Sequence, residues 1–462
     1  MLEWSCQLYF TKTRVSFAVF LQKLLQKIQL YQGFETVIFV RKSSDLRNKI
    51  TAAGLEVVMT DLLPPEQADQ EAQKIDLAAL VNDLIAQAIS ARASDIHIEP
   101  QEDRVQVRFR IDGMLREVAA LPWSLKFPLA ARVKIMANLD IVEKRLPQDG
   151  RIKIRFAGRD IDLRVSTMAT MFGEKVVIRI HDKSVQKHKI DQLGFSAEDL
   201  CRYRQLIKNS HGMILITGPT GSGKTTTLYA TISELCSQEK NIVTIEDPVE
   251  YVLKGVNQTQ VNPGAGITFA IGLRAILRQD PDVVMVGEIR DQETASIAVR
   301  AATTGQLVLS TMHTIDAPGA LTRLIDMGVE PFLISSSVLC IVSQRLVRLC
   351  CEFCREAYEP AGDSPERMLL DAENGGAVCL YRSRGCEHCG YTGFKGRTGI
   401  FEILPLTAEI RRLVRKKASS DEIRKTATEQ GMITFREDGI KKAMVGLTTL
   451  SEVMRVTYSD LI

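Results

Sequence analysis

The segment from Gly218 to Thr225 has the residue types and the spacing that bind the phosphates of a nucleotide. It reads Gly-Pro-Thr-Gly-Ser-Gly-Lys-Thr and fits the pattern G-x-x-x-x-G-K-[ST]. Glycines let the backbone curl so that its N–H groups point at phosphate oxygens, and the start of a helix adds a favourable dipole. We expect Lys224 to reach the β- and γ-phosphates and the Thr225 hydroxyl to ligate Mg²⁺. The predicted nucleotide-binding residues are Gly218, Pro219, Thr220, Gly221, Ser222, Gly223, Lys224, Thr225 and Thr226.

Two acidic residues follow apolar runs that read as strands. Glu288 ends the run 283–287, and α/β sheets place ligand groups at such strand ends, so Glu288 is a candidate for polarising the attacking water. Gly287 occupies the position where many P-loop proteins have an aspartate that holds Mg²⁺. Glu246 or Asp247, at a second acidic strand end, could supply that carboxylate to Mg²⁺ or water; a turn or helix-cap carboxylate is the alternative.

Two close pairs of cysteines indicate a metal site. They are Cys351 and Cys354, and Cys386 and Cys389. In a reducing cytosol such pairs favour metal over disulfides, and four thiolates suit a structural, tetrahedral Zn²⁺. The adjacent Cys350 is a competitor for Cys351, and four ordinary reduced cysteines are the alternative.

The elements around these residues predict a parallel sheet. The run 213–217 predicts a strand that enters the glycine loop, and 226–235 predicts a helix that leaves it. Apolar runs at 242–245, 283–286 and 307–310 lie between helical segments, which predicts a mainly parallel sheet with helices on both faces. After Pro318 the chain reads as mostly helical apart from the cysteine region 351–400.

The region 75–182 reads as an α+β domain. Apolar residues at helical spacing over 75–91 precede alternating strands at 105–109, 152–156, 161–165 and 176–180. Residues 1–70 contain no motif that we can assign to a chemistry, and we interpret them as a poorly defined region that docks on a partner.

Composition excludes some classes of protein. The 462 residues suggest two to four domains, and 59 basic against 56 acidic residues give a net charge of +3, which argues against a general nucleic-acid binder. No uncharged run approaches the ~18–20 residues that cross a bilayer. The start of the chain lacks the features of a signal peptide, so we expect a cytoplasmic protein for which any membrane association would go through partners.

Several ordered motifs resemble one family, the secretion ATPase superfamily of type II secretion and type IV pilus assembly. In the second half they are GPTGSGKTTTLY, TIEDPVEY, RQDPDVVMVGEIRD, LVLSTMHTIDA and GCEHCGYTGFKGRTGIFEIL. In the first half they are SDIHIEP, VRFRIDGML, RLPQDGRI and DLRVSTM. The resemblance extends from about residue 75 to the C-terminus.

The resemblance implies an α/β fold with a RecA-like P-loop ATPase domain over 190–462, including a tetracysteine zinc element at 351–400. An α+β, PAS-like domain at 75–182 would precede it and swing against it. It also implies a hexameric ring that binds ATP, Mg²⁺ and Zn²⁺. Its expected partners are an inner-membrane platform protein and a membrane-anchored cytoplasmic docking protein, without direct nucleic-acid contact.

The resemblance also assigns roles to single residues. Glu288 would be the catalytic base, Glu246 would help to arrange metal and water, and His313 would sense the γ-phosphate. Two arginines of the 75–182 domain would reach the phosphates on domain closure, although a strand arginine on its own is more often ion-paired at the surface. The full set of predicted catalytic residues is Glu288, Glu246, Lys224, Arg164, Arg179 and His313. Gln306 replaces a histidine of the family pattern, which leaves the role of this position open.

The function implied by the resemblance is a cytosolic ATPase motor for pseudopilus assembly and protein export by a type II secretion system. A type IV pilus assembly ATPase is the alternative, and a DNA-uptake or conjugation motor is more distant. The tetracysteine element favours an assembly or secretion motor over a pilus retraction motor.

Overall fold

The structure is a computed structural model that describes residues 76–182, 189–362, 364, 366, 367, 370 and 379–457. The predicted docking region 1–70 lies outside the described residues. None of the described helices is long and apolar enough to cross a membrane.

Within residues 76–182, one antiparallel sheet packs against two helices. The strand order is β3-β2-β1-β6-β5-β4. The strands are β1 (Ala93–Pro100), β2 (Arg104–Ile111), β3 (Met114–Pro122), β4 (Gln148–Phe156), β5 (Arg159–Thr170) and β6 (Gly173–Asp182). Helices α1 (Leu77–Ser90) and α2 (Lys126–Met136) cover one face, and the side chains between them and the sheet form one hydrophobic core. The α+β prediction is confirmed.

Helix α1 begins where the sequence supplies a cap. The Asp76 carboxylate accepts hydrogen bonds from the N–H groups of Ala78 and Ala79. The apolar positions then recur at helical spacing, so Val81, Leu84 and their neighbours are buried against the sheet. The side chains on the opposite face of the sheet are mostly charged.

The second domain is built on a mainly parallel sheet with the order β15-β12-β7-β11-β10-β8-β9 in the described residues. Neighbouring strands are parallel except β15, which runs antiparallel to β12. The strands are β7 (Gly212–Thr217), β8 (Ile242–Glu246), β9 (Asn257–Gln260), β10 (Val283–Val286), β11 (Leu307–Met312), β12 (Val338–Cys350) and β15 (Phe394–Pro405).

Helices cover both faces of this sheet, as the alternation of strands and helices predicts. Successive residues of β10 point to opposite sides, so Val283 and Val284 belong to different hydrophobic cores. The helices are α3 (Ala197–Leu206), α4 (Lys224–Leu235), α5 (Phe269–Ile276), α6 (Gln292–Thr304), α7 (Ala317–Asp326), α8 (Pro331–Ser337), α9 (Ala408–Arg415), α10 (Ser420–Glu429), α11 (Phe435–Met444) and α12 (Leu450–Thr457).

The expectation of a mostly helical chain after Pro318 is wrong for β12 and for the end of β15, which extends beyond the cysteine region 351–400. Strand β12 is the neighbour of β7 in the sheet, and β15 pairs along nearly its whole length. The first half of β12 is buried on both faces, and such a continuous apolar run has no period that separates a strand from a buried helix. The remaining described elements after Pro318 outside the cysteine region are helical, as predicted.

The cysteine region forms a small unit of its own. Strands β13 (Arg355–Tyr358) and β14 (Leu380–Ser383) pair antiparallel, and Leu380 packs with α11 and α12. The two domains touch through polar contacts: Arg164 reaches Glu250 and the Asp112 carboxylate accepts from the Gly396 N–H at 3.0 Å.

Candidate functional site

The glycine loop follows β7 and ends where α4 begins. Gly218, Gly221 and Gly223 all have positive φ, in the region that side-chain-bearing residues avoid. At Gly218 a Cβ atom would lie 2.3 Å from the Gln344 carbonyl oxygen, so this position requires glycine for space as well. The first turn of α4 therefore points its N–H groups into the loop, which is the arrangement that binds phosphate.

Lys224 is buried at the start of α4, and its side chain turns back over the loop. Its Nζ donates to the carbonyl oxygens of Gly218 (2.8 Å) and Pro219 (3.0 Å). Burial lowers the pKa of Lys224 to about 8, and the nearby Glu288 carboxylate opposes this shift. Thr225 is exposed on the first turn, where its hydroxyl is accessible to a ligand.

Gln344 on β12 makes hydrogen bonds to the loop and to α4, and the sequence did not predict this role. Its Nε2 donates to the Ser222 carbonyl at 2.6 Å, and its Oε1 accepts from the Thr227 hydroxyl at 2.7 Å. The signal available in the sequence was a polar residue within an apolar run, but only the β12–β7 pairing reveals its target.

Glu288 and His313 lie beside this loop because their strands are neighbours. Strands β7, β11 and β10 are adjacent and parallel, so the residues that follow them meet at one edge of the sheet. The Glu288 carboxylate lies 2.6 Å from Arg290 Nε and 3.6 Å from His313 Nε2. Burial and then the charge of Lys224 lower the pKa of His313, so the ring is neutral at pH 7.

Glu246 has contacts that the sequence reading did not expect. Its carboxylate is buried at the end of β8 and accepts hydrogen bonds from the Tyr229 hydroxyl, the Thr244 hydroxyl and Gln258 Nε2. A carboxylate with three protein donors is positioned by α4 and β9 rather than turned toward solvent. Asp247, the next residue, is exposed.

The two predicted arginines are both ion-paired. Arg164 contacts Glu250 of the second domain at 3.2 Å, and Arg179 contacts Asp95 of its own domain at 2.9 Å. His181 Nδ1 lies 3.5 Å from the same Glu250 carboxylate. Arg164 and Arg179 are directly opposite on β5 and β6, so the structure brings this pair together.

Gln306 lies away from this edge. It precedes β11, and its carbonyl accepts from the Gly212 N–H at the beginning of β7, whereas the loop follows the end of β7. A strand of this length places the two ends about 15–20 Å apart. The substitution of the family histidine at this position therefore lies outside the candidate site.

The four cysteine thiols come together although they are far apart in sequence. Their sulfur atoms all lie within 4.8 Å of one another, and Sγ–Sγ distances of 3.8 Å (Cys351–Cys386) and 3.9 Å (Cys354–Cys389) match the roughly 3.8 Å edge of a tetrahedral Zn–S site. Cys350 is not part of this cluster in the described residues. His388 stacks on Phe353 instead of joining the thiols.

Backbone N–H groups favour the thiolate form of Cys389, whereas burial raises the pKa of Cys351 and Cys354. Burial raises the pKa of Cys389, but hydrogen bonds from the N–H groups of Cys386 and Gly393 outweigh it, and the net pKa is lowered. The donor set and its geometry fit a closed, structural Zn²⁺ site.

The comparison with protein families decides the family of this chain. The model of the type II/IV secretion system protein family matches residues 69–455. The chain belongs to this family. It is 49% identical to the type II secretion system ATPase E of Vibrio cholerae over 443 residues, which cover 94% of this chain and 87% of that protein. It is 50% identical to the type IV pilus assembly ATPase PilB of Thermus thermophilus, covering 85% of this chain and 44% of PilB.

A solved structure supports the fold. The pilus retraction motor PilT with bound ADP is 27% identical, with a TM-score of 0.52, and the match covers 81% of this chain and 96% of PilT. The expected α/β, P-loop ATPase architecture is thus confirmed.

Proposed function

We propose that this protein is an ATPase motor that powers subunit assembly and protein export in a type II secretion system. One observation carries the proposal: Lys224, His313 and Glu288 follow three adjacent parallel strands, so a phosphate-binding loop and a carboxylate for water lie side by side. The high identity to a type II secretion ATPase, over most of both chains, supports the choice of system.

The residues of the site take distinct roles in this proposal. The loop N–H groups and Lys224 bind the phosphates, and Thr225 would hold Mg²⁺, which supplies positive charge to the phosphate oxygens. Glu288 accepts a proton from, or orients, the attacking water, and neutral His313 donates a hydrogen bond toward the γ-phosphate. Glu246 acts through its contacts to Tyr229 and Gln258 as a positioning residue.

The two domains supply the mechanical step. Arg164 and Arg179 exchange their carboxylate partners for nucleotide phosphates when the domain 75–182 closes on the domain 190–462. The Arg164–Glu250 pair is partly exposed, with a third of each side chain accessible or slightly less, so the exchange costs little. Hydrolysis then splits ATP into ADP and inorganic phosphate, and departure of the phosphate removes the γ-phosphate charge and releases the domain.

The assembly that uses this step is a homo-oligomeric, hexameric ring in the cytoplasm. We propose that it contacts an inner-membrane platform protein and a membrane-anchored cytoplasmic docking protein, the latter through residues 1–70. Zinc at Cys351, Cys354, Cys386 and Cys389 has a structural role in this ring, because four thiolates leave no open position for chemistry.

A type IV pilus assembly ATPase is the second candidate. The 50% identity to PilB of Thermus thermophilus favours it, although less than half of that protein is covered. The neighbouring genes separate the two: secretion-channel components support type II secretion, whereas a major pilin and a retraction motor support pilus assembly.

The test of the proposal is Mg²⁺-dependent ATP hydrolysis by the wild type and by Lys224→Ala, with the oligomeric state measured in parallel. We expect turnover by the wild type and at least about a hundredfold less by the variant, because the β- and γ-phosphates lose their cation. A wild-type ring that does not hydrolyse ATP contradicts the proposal.

A further inference from the structure

Three arginines lie side by side across the charged face of the first sheet. Arg151 on β4 is directly opposite Arg164 on β5, which is directly opposite Arg179 on β6. Strands in a sheet are about 4.8 Å apart, and like charges that face each other across strands destabilise the pairing. Such a row needs anions to offset its repulsion.

The row borders a depression in this face. A cavity of about 430 Å³ is lined by all three arginines. Small or short side chains on the next row, Ser166 and Val177, leave the space beside the guanidinium groups. Asp149 also lines the cavity, so the lining carries three guanidinium groups and a single carboxylate.

Carboxylates of the protein form ion pairs with two of the three arginines. Arg179 is paired with Asp95 and Arg164 with Glu250. Within the part of the chain that the structure describes, Arg151 has no salt bridge, and the Arg164 Nε–H is buried without a hydrogen-bond partner. Buried donors of this kind are normally paired, which points to a ligand with acceptor oxygens.

The contacts of Glu250 connect this face to the phosphate-binding loop. The Glu250 carboxylate meets Arg164, and its backbone N–H donates to the Tyr229 hydroxyl at 3.2 Å. Tyr229 belongs to α4, the helix that begins at Lys224. The arginine row is therefore linked, through Glu250 and Tyr229, to the helix whose first turn forms part of the phosphate-binding loop.

We infer that Arg151 is a third phosphate-binding arginine, which joins Arg164 and Arg179 in one site for the triphosphate of the nucleotide. The inference rests on the proposed function and adds a residue and a specificity to it. A planar guanidinium forms paired hydrogen bonds with phosphate oxygens, so three in a row distinguish a triphosphate from a diphosphate.

The experiment compares Arg151→Gln with Arg155→Gln in the full-length chain. Arg155 is a matched control because it is exposed on the same strand and the same face, but lies opposite Asp160 instead of an arginine. We measure kcat and KM for ATP, the affinities for MgATP and ADP in a Glu288→Gln background, and the oligomeric state. Arg151→Lys is included as the conservative variant.

We expect Arg151→Gln to lower kcat/KM, and to weaken binding of MgATP relative to ADP, by at least about tenfold. Arg155→Gln should match the parent chain, and Arg151→Lys should recover part of the loss. If the wild type hydrolyses ATP and Arg151→Gln retains its kcat/KM and its preference for MgATP, the inference is wrong while the proposed function survives. Loss of ring assembly with unchanged nucleotide binding overturns it as well, since Arg151 would then serve a subunit contact.

Discussion

Gln344 is the residue whose contribution the geometry defines most sharply. It is buried, and its side-chain amide makes two hydrogen bonds. The amide donates to the Ser222 carbonyl of the phosphate-binding loop and accepts from the Thr227 hydroxyl on the helix that follows. Removing it leaves two buried polar groups without a partner. We therefore expect Gln344 to hold the loop in its phosphate-binding conformation.

Gln344→Ala should loosen the loop locally. We expect amide hydrogen exchange over residues 218–227 to become about tenfold faster, because each unpaired buried group costs about 1–3 kcal/mol. Ser343→Ala is the control, since the Ser343 hydroxyl is buried without a hydrogen-bond partner among the described residues. Equal exchange in both variants would show that Gln344 does not hold the loop.

Lys224 should make nucleotide affinity depend on pH. At a pKa of about 8, the Lys224 ammonium that we propose binds phosphate is nearly complete at about pH 7, half present at about pH 8 and lost above that. ADP affinity should therefore be level below about pH 7, decline by about half at about pH 8 and fall by up to about tenfold per pH unit above that. Calorimetry on the wild type and Lys224→Ala checks this, and a level profile for the wild type would contradict it.

The sequence predicts those site residues whose contacts lie within one short motif. Lys224 and its glycines act within eight residues, so their pattern predicts their geometry. The contacts of Glu246 and Gln344 depend on which strands are neighbours, and no local pattern contains that information. The pairing of Arg164 with Glu250 likewise joins residues of different domains.

At the scale of elements, the cluster of four cysteines forms only through strand pairing between segments that are distant in sequence. Cys351 and Cys354 follow β12, whereas Cys386 and Cys389 follow β14, and the β13–β14 pairing brings the two turns together. The pairs themselves were predictable from their spacing. The exclusion of Cys350 follows from the cluster itself, which contains Cys351 and not its neighbour.

We expect the purified protein to contain one zinc ion per chain by elemental analysis. Cys386→Ser should lose the metal, because three thiolates and a hydroxyl bind Zn²⁺ much more weakly than four thiolates. Cys350→Ser should retain it, since Cys350 is outside the cluster. Retention of full zinc content by Cys386→Ser would contradict the assignment.

The sheet of the second domain was predicted only in part for a related reason. The apolar segments that form β7 and β10, before α4 and α6, are short and bounded by turns, and this pattern predicts strands. Strands β12 and β15 are longer. They form strands because they pair beside β7 at one end of the sheet, and no local pattern predicts that pairing.

At the scale of the whole molecule, the two domains meet through polar contacts rather than through a shared core. The hydrophobic core of residues 76–182 is separate from the two cores that flank the parallel sheet. Contacts such as Arg164–Glu250 are partly exposed and individually weak, so a bound nucleotide can replace them. We propose that this weak interface is what allows hydrolysis to be coupled to domain movement.

The most direct test of this account is ATP hydrolysis and nucleotide binding by Glu288→Gln, measured beside the wild type in the same oligomeric state. Glutamine keeps the shape of Glu288 but cannot accept a proton, so we predict unimpaired MgATP binding with turnover at least about a hundredfold slower. Turnover by Glu288→Gln at the wild-type rate would contradict the account.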